Sequence, residues 1–156
     1  MNLHQYRFRA RWDLPAPPAV VHEFLARAED YPRWWPQVRE AHRSPDGLGG
    51  SARVRAFLPY DLRITLRERE RDAGAGLLSA EVTGDLEGFL RWTLRAREGG
   101  TRADYLQEVE VRSPLLRRLV VPGRPLFRLN HRLMMRSGER GLRRALAERP
   151  TTEKAV

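Results

Sequence analysis

The chain has 156 residues, 41% of them hydrophobic, and no cysteine. That length sustains one core of ordinary size, and the missing thiols exclude disulfides, thiolate metal sites and cysteine nucleophiles. The formal charge is +9, from 29 basic against 20 acidic residues, with Lys154 the only lysine.

Residues 5–13 alternate, with Tyr6, Phe8, Ala10 and Trp12 on one face, which predicts a half-buried strand. Pro15, Pro17 and Pro18 end it, because proline lacks the backbone donor, and open a short helix over 17–27. Val20, Val21, Phe24, Leu25 and Ala28 supply the apolar stripe of that helix. Asp30 to Pro36 reads as a second short helix, capped by Asp30, with Pro32 in its first turn and Pro36 at its end. A strand is expected over Val38–Arg43, then a turn at Ser44-Pro45-Asp46-Gly47.

Further strands are expected over 51–58, 61–71, 77–83, 86–97 and 102–112. The spacers between them are too short for crossovers, so neighbours run antiparallel. Leu62, Ile64 and Leu66 oppose Arg63, Thr65 and Arg67, and Leu90, Trp92, Leu94 and Ala96 oppose Arg91, Thr93, Arg95 and Arg97. Each strand therefore has one wet and one covered face. Residues 114–121 predict a short helix that Pro122-Gly123 breaks. From Pro125 to Arg149 a helical stripe of Phe127, His131, Met134 and Gly138 is flanked by Leu126, Leu129, Asn130, Leu133 and Leu142. The expected organisation is one α+β domain over 1–149, a curved antiparallel sheet of about seven strands with a long C-terminal helix, and a loose tail over 150–156.

The arginines interleave with acids, as in Arg67-Glu68-Arg69-Glu70-Arg71-Asp72, which reads as a solvated sheet face and disfavours nucleic acid as a partner. The arginines gathered in the C-terminal third leave peripheral contact with an anionic membrane open. No apolar run approaches the roughly 20 residues of a membrane span, and Met1–Arg11 lacks the apolar stretch of a signal peptide, so a cytoplasmic protein is expected, as a monomer or homodimer.

The order of elements resembles the helix-grip fold of the START-like superfamily, which includes birch-pollen allergen-type and polyketide cyclase/dehydrase-type proteins. Tyr31-Pro32-Arg33-Trp34-Trp35-Pro36 is similar to that superfamily's turn after the first helix. Gly84-Asp85-Leu86-Glu87-Gly88 with Arg91-Trp92-Thr93-Leu94, and Arg124-Pro125-Leu126-Phe127-Arg128-Leu129-Asn130-His131, resemble a bacterial branch. The resemblance spans about residues 4–147. It implies a cavity between sheet and long helix. Because members share a cavity and not a reaction, it implies no single function.

On that fold the expected walls are Leu62, Ile64, Leu66, Leu90, Trp92 and Leu94, with Tyr105, Phe127 and Met134 completing them. Trp35 and Tyr60 are placed at the mouth or rim, together with Trp34. His131 is the one candidate general base, through its place on the helical stripe, and Asn130 beside it offers a donor and an acceptor. His4, His22 and His42 are read as surface residues. No His-x-His or His-x-x-x-His spacing, serine elbow, phosphate loop or carboxylate pair is present, so neither metal nor cofactor is expected. Three readings follow in order: binding or transport of an apolar small molecule, polyketide cyclisation or dehydration through His131, and a basic surface module.

Overall fold

A computed structural model describes residues 4–55, 61–120 and 124–149. Seven antiparallel strands form one sheet: β1 (Gln5–Leu14), β2 (Val38–Arg43), β3 (Gly49–Val54), β4 (Leu62–Asp72), β5 (Leu77–Gly84), β6 (Leu86–Arg97) and β7 (Gly100–Val111). Their order across the sheet is β1-β7-β6-β5-β4-β3-β2, so β1 and β2 are the edges. The helices are α1 (Pro18–Ala26), α2 (Pro114–Val120) and α3 (Arg124–Glu148). The expected helix-grip architecture is the observed one. The expected tail over 150–156, Tyr60, the end of the strand expected over 51–58, and Pro122-Gly123 lie outside the described residues.

One short element differs from expectation. Residues Ala28–Arg33 form a 3-10 turn that starts before Asp30, holds Pro32 in its interior and stops at Trp34, short of Pro36. Tyr31 directs it: its hydroxyl donates to the Leu25 carbonyl at 2.5 Å, and its own carbonyl accepts from the amides of Trp34 and Trp35. His22, expected at the surface, is buried in α1, with Nε2 at 2.9 Å from the Leu77 carbonyl. Ala96 is exposed, because β6 runs out past the core before the turn into β7.

The core is built around tryptophan. All four in the chain meet: Trp12 lies 4.7 Å from Trp92 and 5.4 Å from Trp35 between ring centres, and Trp34 stacks on Trp35 at 5.5 Å. Strand register puts Trp12, Ala103 and Leu94 in one row across the sheet, and Ala10, Tyr105, Trp92 and Leu78 in the next. The second half of α3 lies on this layer through Met135, Gly138, Leu142 and Leu146, all buried. Trp35 Nε1 donates to the Met134 carbonyl at 3.0 Å, tying helix to tryptophan directly.

Two glycines permit this approach. A Cβ on Gly138 would come within 2.6 Å of Trp35 Cε2, and one on Gly141 within 1.7 Å of the Trp34 carbonyl oxygen. In the first half of α3 the pattern weakens. Phe127, Asn130, His131 and Met134 are only half-buried, and Leu126 and Leu129, expected to flank the buried stripe, are exposed on the far side of the helix.

Glycine-to-alanine changes inside a helix ordinarily stabilise by about 1 kcal/mol. Here the sign should reverse. Gly141→Ala is expected to cost more than Gly138→Ala, because it meets a backbone carbonyl and not a ring edge, and both should exceed about 1 kcal/mol. Ser137→Ala should stay within about 0.5 kcal/mol of the parent. Urea unfolding of the three variants checks the order.

Candidate functional site

Below the tryptophan layer the side chains get smaller while the helix stays at the same height. The next row across the sheet is Phe8, Gln107, Leu90, Ala80 and Glu68, followed by Tyr6, Val109, Gly88, Val82 and Leu66. Only their β1–β7 end meets α3, through Phe8 and Gln107 against His131, and over the remainder a cavity of about 230 Å³ lies between sheet and helix.

Of the residues expected to line it, Leu62, Ile64, Leu66, Leu90, Trp92, Tyr105, Phe127 and Met134 do so, and His131 and Asn130 face it from α3. Leu94 does not. It sits in the Trp12–Ala103 row, one layer further along the sheet, and is fully engaged in the core. Trp34 and Trp35 stand in the tryptophan layer and not at a mouth, both buried; Trp35 closes the inner end of the cavity.

The polar residue that sequence reasoning missed is Gln107. β7 alternates strictly, with Thr101, Ala103, Tyr105, Gln107, Val109 and Val111 inward. A lone amide on that buried row was the readable signal. Gln107 Oε1 only accepts, and it receives the Tyr105 hydroxyl at 2.6 Å and His131 Nε2–H at 3.2 Å. The imidazole is thus held as the Nε2–H tautomer, with Nδ1 as its acceptor. The ring lies flat against Phe8, 3.9 Å away and inclined 10°, with Tyr105 at 6.2 Å and inclined 24°.

Burial sets the protonation states here. It lowers His131 from the ordinary 6.5 to about 4, so the ring is neutral at physiological pH. Burial also raises Tyr105 and Tyr31 above their usual range, so both stay protonated donors. The other polar groups on the wall have partners too: Ser79 Oγ donates to Glu70 at 3.2 Å. On the β2–β4 side the lining turns charged, with Arg43 on Glu29 at 2.6 Å and Arg71 paired with Glu68. Among the described residues no group of three or more His, Asp or Glu side chains comes together as a metal site, and no helix is long and apolar enough to cross a membrane.

A curved sheet gripping a helix over an apolar hollow defines a helix-grip, START-like protein. The chain belongs to the family described as polyketide cyclase/dehydrase and lipid transport, which it matches over residues 5–147. In structure it is similar to the Zhui aromatase/cyclase from Streptomyces sp. R1128, at 13% identity and a TM-score of 0.76, covering 94% of this chain and 96% of that one. It is similar also to a START superfamily protein from Mycobacterium smegmatis, at 15% identity and TM-score 0.56 over 86% and 97% of the chains. A major latex-like protein from Panax ginseng matches at 10% identity and TM-score 0.63 over 90% and 97%. A comparison with curated proteins found no match. At these identities the structural likeness carries the fold alone. The family places the chain among proteins that bind hydrophobic ligands or act as cyclases and dehydrases.

His131 gives the site a pH signature. Its proton is bound at 6.5 in the unfolded chain and only near 4 in the fold. The unfolded chain therefore takes the proton first as pH falls. The stability His131 contributes is complete above about pH 6.5 and is lost toward pH 4, amounting to about 2 kcal/mol between pH 7.5 and 5. Urea unfolding at those two pH values should show this loss, and His131→Phe should remove that share of it.

Proposed function

We propose that the chain binds an apolar small molecule in the cavity under α3 and acts as a binding or carrier protein. The observation that carries this reading is the state of the polar set. Tyr105, Gln107 and His131 satisfy one another, and the charged residues of the β2–β4 side are paired among themselves, which leaves a shaped hydrophobic surface and few groups free to do chemistry.

The volume bounds the ligand. At about 230 Å³ the cavity exceeds the roughly 150 Å³ that holds benzene in an engineered core and falls short of the roughly 300 Å³ at which drug-sized pockets begin. One ring system or one medium chain fits that space. A lipid with two acyl chains does not.

A second reading, cyclisation or dehydration of a poly-β-carbonyl substrate, is favoured by one feature: a neutral imidazole, oriented by Gln107, with Asn130 next to it. Against it stands basicity. A ring that protonates only near pH 4 is a weak acceptor for an acidic C–H proton at neutral pH. The imidazole fits better as a polar contact for a bound carbonyl or hydroxyl.

Thermal-shift and native mass spectrometry measurements against single-ring aromatics and chains of about eight to twelve carbons should identify ligands. A ligand at a hundred times its Kd should stabilise the fold by about 2.7 kcal/mol. Ala80→Phe, placed in the floor beside Leu90, should abolish that stabilisation while leaving the protein folded. Unchanged ligand response in this variant would exclude the cavity as the site. Turnover of a poly-β-ketone that falls with His131→Ala would favour the second reading.

A further inference from the structure

The cavity has a neighbour on the other side of its wall. A groove runs along the outer edge of β1 beside α3, lined by Arg7, Arg9 and Arg11 from the strand and Arg128, Arg132 and Arg136 from the helix, with Glu139 at one end. Phe8 and His131 line the groove and the cavity alike, so their ring stack is the partition between the two.

The charge in this groove is largely uncompensated. Arg7 and Arg11 pair with Glu108 and Asp104 on β7, each at 3.0 Å. Glu139 is occupied by the Asp13 amide at 2.9 Å. Among the described residues Arg9, Arg128, Arg132 and Arg136 have no carboxylate partner, and all four are exposed. The spacing explains why three come from the helix: 128, 132 and 136 follow one another by four along α3 and present one flank of it, and they share the groove with Arg9 from the middle of the strand.

The seam between β1 and α3 is closed unevenly. At Asp13 it is stitched twice, by Glu139 on the amide and by Arg143 Nε donating to the carbonyl at 2.7 Å. Between residues 7 and 11 no hydrogen bond crosses it among the described residues, and the Phe8–His131 stack is what meets there. This is also the half of α3 that roofs the cavity.

We infer that the ligand is an amphiphile with an anionic head: its apolar body lies in the cavity, it passes the β1–α3 seam beside Phe8 and His131, and its head rests on Arg9, Arg128, Arg132 and Arg136. Guanidinium groups form charge-assisted, often bidentate bonds to carboxylate and phosphate, and four of them in the groove beside the Phe8–His131 pair select for a chain that ends in such a group. The inference rests on the reading of the cavity as a ligand site.

Binding of decanoate, decyl phosphate and 1-decanol, all below their micellar concentrations, tests it by calorimetry. The anionic compounds should bind roughly tenfold tighter than the alcohol or better, the scale of one charge-assisted hydrogen bond. The preference should shrink at 0.5 M salt and vanish in Arg132→Gln/Arg136→Gln and Arg9→Gln/Arg128→Gln, with 1-decanol affinity unchanged. Arg95→Gln, on the outer face of β6, should behave as the parent. The two anions separate a carboxylate head from a phosphate head. Equal affinity for decanol and both anions would overturn this inference and leave the cavity reading standing, whereas failure of all three compounds to bind would overturn both. An anion preference that survives in both of those double variants but is lost in Arg43→Gln/Arg71→Gln would put the head at the opposite, charged rim and equally overturn it.

Discussion

The position of α3 depends on how closely a helix backbone comes to a cluster of indoles. At Gly138 and Gly141 no side chain stands between α3 and the Trp12–Trp34–Trp35 layer, and Trp35 adds a hydrogen bond to the helix at Met134. One end of the helix is thereby held at a fixed height over the sheet. An α-helix is stiff over 25 residues, so the other end keeps that height whether or not the sheet beneath supplies bulk to fill it. The Tyr105–Trp92 row fills the gap, and at Leu90 and Ala80 in the next row the gap stays open. The hollow thus follows from a close contact beyond its end as much as from its own walls.

This geometry also shapes the chemistry within. A histidine under a tightly packed helix would have been excluded or bonded to backbone. Under the lifted half of α3, His131 has room for a flat stack on Phe8 and a side-chain partner in Gln107. The low dielectric that comes with burial suppresses its charge. The same surroundings that make the imidazole a defined contact for a ligand make it a poor base, which is why the binding reading outweighs the catalytic one.

Much of the fold was legible in sequence because its signals are local. Alternation in β4 and β6, the prolines before α1 and the long 3.6-residue pattern of α3 are each written within a few residues. The wall residues followed once alternation and the helical stripe were set against each other. The misses were long-range. Leu94 shares the inward phase of Leu90 and Trp92, and only its register against Ala103 and Trp12 places it beyond the cavity. Gln107 shares the inward phase of Tyr105 on β7, but the His131 partner that gives its amide a role lies 24 positions away, and His22 is buried by a carbonyl 55 positions away. The 3-10 turn was misjudged because Asp30 and Pro32 are good helix openers, while the Tyr31 hydroxyl, bonded back to Leu25, sets the turn earlier.

The arginines on β1 have a consequence for the free molecule as well. β1 is an edge of an open sheet, and an edge strand offers unpaired amides and carbonyls to any other strand that approaches. Arg7, Arg9 and Arg11 stand at every second position along it, with α3 adding three more guanidiniums alongside. Two copies meeting edge to edge would bring two such arrays together, and the repulsion would act before the first interchain ladder bond formed. The charge gathered at this seam therefore works against edge-to-edge pairing of two β1 strands.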